Sequence, residues 1–347
     1  AKILPEEVDD TELPVTVTLY QGLPKADKME FIIQKCVELG VTKIVPVDTD
    51  RAVVKLDAKK EEAKRKRWYG ISESAAKQSK RMIVPEIGNV MKFKAAIEAA
   101  ALVTNPKVKL IDTSTAHRTL PDWAYGFPEL APAFREKIAS SNRIAVPGCY
   151  ASGFNALVYP LMFGGILPAD YPIVCYAMSG YSGAGNKGIA QYEAADRDPE
   201  LDSPRQYALT QQHKHLKEMG AISHLARTPI FAPHICDYPC GMTVSVPLFA
   251  DLLKKRMTPA DMQAFYAEHY GDSRVVKVRP LGYSESMIGA NNMAGRDDME
   301  IEINGNDERL LLTARFDNLG KGASGAAIQC MNIALGLDEV TGLTIGE

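Results

Sequence analysis

The sequence predicts an α/β fold: a doubly wound, mainly parallel sheet that gives way to an α+β domain. Two observations carry this reading. Up to about residue 150, segments of period two alternate with segments of helical period, the pattern of βαβ units. Beyond it, strand candidates stand far apart, which suits antiparallel strands with helices against one face. In order, Val15-Thr16-Val17-Thr18-Leu19-Tyr20 alternates and is rich in β-formers, so it reads as a strand. Asp27 to Leu39 places Met29, Ile32, Ile33, Cys36 and Val37 at helical spacing, with Gly40 as a C-cap. Thr42 to Val47 is a second strand, Glu61 to Lys80 a charged helix and Met82 to Ile87 a third strand. An Ala-rich helix over Phe93 to Leu102 and a strand over Val108 to Ile111 follow. Later strands are Ile173 to Met178, Met242 to Val246 and Met299 to Ile303, separated by long irregular stretches, and a last helix runs from about Ala326 to Ala334. There is no internal repeat.

The 347 residues allow two domains, at roughly 150 residues per domain. A net charge of -3 argues against general affinity for nucleic acid or membranes. Six cysteines (Cys36, Cys149, Cys175, Cys236, Cys240, Cys330) are scattered with no secretory signal ahead of them, which predicts reduced thiols and a cytoplasmic location. Cys236 and Cys240 lack a second metal-type pair, so no metal site is expected. No apolar run approaches the ~20 residues that span a bilayer. The chain begins at Ala1 without Met or a targeting pattern, as a fragment or a processed product would.

Val146-Pro147-Gly148-Cys149-Tyr150-Ala151-Ser152-Gly153 holds a cysteine between glycines, after the strand Asn142 to Val146 and before a helical pattern that begins at Phe154. At a helix N-terminus, unpaired N–H groups and the helix dipole favour the thiolate. Flanking glycines let an acyl carbon approach the sulfur. The same residue also suits a small core position, since free cysteine is commonly buried.

Four further segments can carry chemistry. His213-Lys214-His215 offers acid/base groups for a thiol, or is a surface stretch of a basic helix; its i, i+2 spacing does not suit metal ligation from one helix face. Asp112-Thr113-Ser114-Thr115-Ala116-His117-Arg118 follows a strand where doubly wound sheets bind ligands. There Arg118 suits a carboxylate or phosphate, while Asp112 or Ser114 suits a helix cap equally well. Gly183 to Gly188 spells G-x-G-x-x-G, but no βαβ unit with an acidic residue ~20 positions on follows it. A flexible loop lining an active site is the better reading of 179–188. Asp317 to Gly325 is a glycine-rich helix start that can hold an anion or an amide, or a tight turn packed on a sheet.

Together with Asp122-Trp123-Ala124-Tyr125-Gly126-Phe127, these segments resemble, in order and from about residue 95 onward, the N-acetyl-γ-glutamyl-phosphate reductase family of the shorter bacterial type. The resemblance implies NADPH-dependent formation of N-acetylglutamate semialdehyde in arginine biosynthesis. Cys149 would attack the acyl phosphate, with one of His213 and His215 as acid/base. Arg118, Ser114, Ser179 and Gly180 would contact the small-molecule substrate, and Ser182, Gly183, Asn318 and Gly322 the NADP cofactor. It further implies a homo-oligomer. Residues 96–148 would complete the nucleotide-binding sheet, 149–325 form the catalytic α+β substrate and dimerisation domain, and 326–347 return as a helix to the first domain.

That family opens with a glycine-rich pyrophosphate loop after its first strand, whereas Gln21-Gly22-Leu23-Pro24-Lys25-Ala26-Asp27-Lys28 stands here. Residues 1–95 instead resemble SPOUT-class methyltransferases that modify a uridine in small-subunit ribosomal RNA. The matching residues are Leu23 to Glu30, Glu38-Leu39-Gly40-Val41, Arg51-Ala52-Val53-Val54-Lys55 and Glu73 to Arg81, ending in Val84-Pro85. The glycine-rich S-adenosylmethionine loop of that family does not occur, so neither S-adenosylmethionine nor RNA is expected as a ligand. The basic stretch between Arg51 and Lys94 reads as a solvated helix face. The chain thus reads as a fusion with its seam near Phe93 to Leu102. Its expected activity is that of a reductase with impaired NADPH binding. The alternative is an incomplete ribosomal RNA uridine N3-methyltransferase joined to a passenger domain, or an inactive composite.

Overall fold

The computed structural model describes residues 12–24, 27–49 and 56–346. Lys25, Ala26 and Arg51 to Lys55 of the methyltransferase-like motifs lie outside the described residues. The chain divides into two compact units, Ala1–Asn105 and Pro106–Glu347.

In the first unit, β1 (Thr18–Gly22) leads to α1 (Lys28–Glu38) and β2 (Lys43–Asp48). Next come α2 (Ala58–Gln78), β3 (Glu86–Ile87), β4 (Met91–Lys92) and α3 (Phe93–Ala101). All strand pairs here are parallel: β2 lies beside β1 and pairs along its other side with β3 and β4. Asp57 caps α2 by accepting from the Lys60 N–H at 2.8 Å. The unit closes on Met29, Ile33 and Val37 of α1, Ile44 of β2 and Trp68 of α2.

The second unit opens with β5 (Leu110–Asp112), β6 (Ala124–Tyr125), α4 (Pro132–Ser140), β7 (Arg143–Ala145) and α5 (Cys149–Phe163). The strands form a separate parallel sheet ordered β5-β7-β6. The predicted parallel strands therefore lie in two sheets. After them come β8 (Val174–Gly180), α6 (Gly185–Tyr192), β9 (Arg205–Gln206), α7 (Lys214–Ile222), β10 (Ile230–Cys236) and β11 (Met242–Phe249). The unit ends with α8 (Pro259–Tyr270), β12 (Val276–Val278), β13 (Met299–Gly305), β14 (Arg309–Phe316) and α9 (Gly325–Leu335). Strands β8 to β14 make one sheet in the order β12-β13-β14-β11-β8-β10-β9.

This second sheet corrects two expectations. It is mixed, because β8 and β10, and β12 and β13, run parallel. The stretches expected to be irregular also hold β10 and β14. Residues 181–192 are not a loop either: a tight turn over Tyr181–Ala184 runs into α6. Helix α9 packs on α4 and β5, with Cys330 buried among Ala124, Ile138 and Ile144.

Helix α5 forms the centre of this unit, with Tyr150 to Leu161 buried. Pro160 lies inside it and has no N–H, so the carbonyl of Ala156 loses its helical partner. The Tyr270 hydroxyl donates to that carbonyl at 2.8 Å, and Tyr266 donates to the next one, of Leu157. Helix α8 thus replaces what the proline removes, and α5 continues for its full length behind Cys149.

Candidate active site

Strand β7 delivers Val146, Pro147 and Gly148 to the start of α5, whose first residue is the half-buried Cys149. The helix begins there rather than at Phe154, because Gly148 already accepts the first helical bond, from Ser152 N–H at 2.8 Å. The Gly148 N–H donates to Glu218 Oε1 at 2.9 Å. Glu218 is buried on α7, and its other oxygen accepts from Arg118 Nη1 at 3.1 Å. Arg118 also donates from Nε to Val146 O at 2.8 Å and from Nη2 to Thr113 O at 3.0 Å. Its guanidinium therefore braces the cysteine turn from both flanking strands. The Tyr125 hydroxyl donates to Glu218 at 2.8 Å and accepts from Asn155 Nδ2 at 2.9 Å. Burial raises Glu218 above the usual carboxylate range against the pull of Arg118 and these donors.

A Cβ on Gly148 would run into His215 Nε2 and Arg118 Nη1. His215 thus presents Nε2 over the residue preceding the cysteine. Its Nδ1 is buried without a hydrogen-bond partner among the described residues. His213 is the N-cap of α7: its Nδ1 accepts the His215 N–H at 3.2 Å. Burial, reinforced by Lys214, lowers His213 to about 4. Burial also takes His215 well below the ordinary histidine value, with His213, Arg118 and Lys214 adding to the effect. Both rings are neutral near pH 7.

The expectation of a resting thiolate is corrected by the same surroundings. Burial pushes the Cys149 thiol up, and the Tyr150 N–H, Lys214 and Arg118 offset this only in part. The helix N-terminus is present, yet desolvation outweighs it.

The other predicted residues fall into two groups. Ser179 donates to Gly180 O at 3.1 Å at the end of β8. Asn318 Nδ2 donates to Ser182 Oγ at 2.8 Å, while Asn318 Oδ1 accepts from Gly241 N–H at 3.0 Å. A Cβ on Gly183 would come 2.8 Å from Ser179 Oγ, and one on Gly322 would come 2.9 Å from Cys149 Cβ. Ser179, Gly180, Ser182, Gly183 and Asn318 thus form a connected set, while Gly322, held to Asp317 O by its N–H, packs separately on Cys149. Ser114 stays within its own loop, donating from Oγ to Asp112 at 2.8 Å and accepting from Ala116 N–H at 3.2 Å. No helix follows it, so the helix-cap alternative for Asp112 and Ser114 is corrected to a turn, in which Asp112 also pairs with His117 at 2.7 Å. Glu218 and Tyr125 were missed. Glu218 stands three residues after His215, on the same helical face, and that spacing was the available signal.

The backbone of Gly322 packs directly on Cys149, where any side chain at 322 would collide with the cysteine. The described residues of the turn after β1 do not form a pyrophosphate cradle. Its Leu23 N–H donates to Val47 O at 2.9 Å, Pro24 has no N–H, and acidic Asp27 occupies the N-cap of α1 where an anion would sit. Among the described residues no His, Cys, Asp and Glu cluster is placed to hold a metal ion, and no helix is long and apolar enough to cross a membrane.

Comparison with known proteins finds two families, the first of which runs past the boundary between the two units at Asn105 into β5 and β6. An RNA methyltransferase domain family matches residues 11–126, and the dimerisation domain of semialdehyde dehydrogenases matches residues 149–318. The N-acetyl-gamma-glutamyl-phosphate reductases of Brucella ovis and Brucella melitensis are each 44% identical over 248 residues, covering 70% of this chain and 80% of theirs. The structure of aspartate semialdehyde dehydrogenase II from Vibrio cholerae shares the fold, with a TM-score of 0.56 at 12% identity over 92% of this chain and 98% of that one. The extent and identity of the reductase match place this chain in the N-acetyl-gamma-glutamyl-phosphate reductase family, with an RNA methyltransferase domain match at its N-terminal end.

Proposed function

We propose that the chain converts N-acetyl-γ-glutamyl phosphate to N-acetylglutamate semialdehyde through a thioester on Cys149, as a step of arginine biosynthesis; the name of its relatives, N-acetyl-gamma-glutamyl-phosphate reductase, supports the reaction. The observation that carries this reading is the cysteine at the first position of α5, with His215 Nε2 and Arg118 gathered over Gly148. Because burial raises the thiol and lowers both imidazoles, we take Cys149, His213 and His215 as neutral before attack. The proton therefore leaves sulfur during attack, and His215 is the assigned base because His213 Nδ1 is engaged in capping α7. The new S–C bond forms as the C–O bond to phosphate breaks, and inorganic phosphate departs. Arg118 faces the developing charge while Glu218 holds it in place. NADPH is the reductant this chemistry needs, supplying hydride to the thioester carbon. Ser182, Gly183, Asn318 and Gly322 are the residues we assign to its nicotinamide end, and weak NADPH binding is expected because the glycine-rich loop of the family does not follow β1. Aldehyde release breaks the C–S bond and returns the thiol. The dimerisation-domain match supports a homo-oligomer, and we propose that the enzyme works in the cytoplasm.

Mixing the protein with the acyl phosphate in the absence of reductant tests the first half alone. One phosphate per chain should appear in a burst, and Cys149→Ala should abolish it, a loss on the order of 10⁶-fold in rate for a deleted covalent nucleophile. No burst in folded protein, or a burst that survives the substitution, overturns the reading. Reverse turnover with semialdehyde, phosphate and NADP then measures the hydride half, with a raised KM for NADP expected.

A further inference from the structure

Lys321 is a buried ammonium that the chemistry at Cys149 does not use. Its Nζ donates to the two Glu129 oxygens at 3.0 and 2.9 Å and to Gln329 Oε1 at 2.7 Å, and stands 4.7 Å from the centre of the Phe127 ring. Gln329 closes a triangle by donating from Nε2 to Glu129 at 2.6 Å. Stability alone does not call for such a pair, since apolar residues of similar volume often serve as well or better. What the triangle can fix is register. Lys321 sits in a wide turn over Gly320–Ser324. That turn is held by bonds that reach back five residues, from Gly322 N–H to Asp317 O at 2.9 Å and from Ser324 N–H to Leu319 O at 2.8 Å. Turns of this width are rare and cluster at functional sites. Tightening to α-helical bonding would shift the residues facing Cys149, where even the Cβ of an alanine at 322 would come within 2.9 Å of the cysteine Cβ.

We propose that Lys321, Glu129 and Gln329 are positioning residues for the nucleophile: their triangle keeps the wide turn in register so that the bare backbone of Gly322 packs on Cys149. The inference rests on the assignment of Cys149 as the reacting thiol.

Two variants separate positioning from stability. Lys321→Met strands the Glu129 carboxylate in the core, whereas Lys321→Met/Glu129→Met removes both charges. The double variant is expected to unfold cooperatively near the parent midpoint. Its Cys149, followed by peptide mass spectrometry, should alkylate several-fold faster with iodoacetamide, because its cover has loosened. Its kcat should fall about 100-fold, as for a displacement near 1 Å, with the KM for the acyl phosphate close to the parent value. A folded double variant with parental alkylation and parental kcat overturns the proposal. Should that variant not fold, Gln329→Met opens the triangle while leaving the ion pair, and is judged by the same two readings. Alkylation needs no substrate, so a parent protein without a phosphate burst would refute the proposed function and still leave the positioning test to be decided.

Discussion

Two strand-to-helix turns on parallel sheets occupy comparable topological places in the two units, and they differ in what their atoms do. After β7, the Gly148 N–H is held by Glu218, its Cα lies under His215 and Arg118, and the next residue is a cysteine at the head of α5. After β1, the Leu23 N–H returns to its own sheet at Val47, a proline follows, and a Cβ on Gly22 would meet, among the described residues, only Thr49 Cγ2 at 3.7 Å. Both turns satisfy the rules that make a βα unit fold. Among the described residues, only the first surrounds its backbone with buried titratable groups, and that surrounding, rather than the topology, distinguishes the two turns. The N-terminal segment, which matches another family, thus builds a parallel sheet whose described first turn differs from the cysteine turn in every one of these contacts.

The comparison is tested most severely at Gly148. Gly148→Ala forces a methyl group onto His215 and Arg118, and overpacking of this kind costs about 1–3 kcal/mol. Because it also displaces the base, the phosphate burst should slow by about 100-fold in the protein that remains folded. A variant with the parent burst rate would show that the gathering of groups over Gly148 is incidental.

Next in size is Glu218→Ala. It leaves the buried Arg118 guanidinium without its carboxylate, a loss of about 3–5 kcal/mol for a broken buried pair. Denaturant unfolding should show a lowered midpoint with an unchanged slope. A shift below about 1 kcal/mol, the range of exposed pairs, would mean that water reaches Arg118.

How much of this was legible in the sequence follows from the reach of each interaction. The cysteine turn could be read because strand, glycine and helix lie within a dozen residues. Strand β10 could not, because Pro233 and His234 interrupt its apolar run, and it is stabilised by pairing with β8, more than fifty residues away in sequence. Strand β14 contains Leu310, Leu311 and Leu312 in succession, a run without a period that separates helix from strand. Glu218 becomes meaningful only when α7 brings it beneath a glycine 70 residues earlier. The resting charge of Cys149 was misjudged for a related reason: a helix N-terminus is visible locally, whereas desolvation is set by segments far apart in sequence.

A smaller effect is expected from acid. Burial lowers His213 from the ordinary 6.5 to about 4, so the unfolded chain binds more protons than the folded one between those values. Stability is therefore complete above about pH 6.5 and is lost as pH falls through 4, by about 1–3 kcal/mol after allowance for partial exposure. Protonation also removes the lone pair that caps α7. His213→Asn keeps a capping acceptor and removes the titration, so its midpoint should change less than the parent's between pH 7 and pH 4. Parallel curves for the two proteins would sink the assignment.

The smallest effect belongs to the other turn. Gly22→Ala adds a methyl group that meets, among the described residues, only the Thr49 side chain at van der Waals distance. Replacing a glycine where the backbone accepts a side chain restricts the unfolded chain, and the expected result is a gain of about 0.4–1 kcal/mol. The phosphate burst and the KM for NADP should both stay at the parent values, because no atom of Gly22 contributes to a phosphate cradle. A rise in that KM would mean that the turn after β1 does approach the cofactor. The contrast between the two turns would then be one of degree, with the first unit retaining part of a nucleotide site.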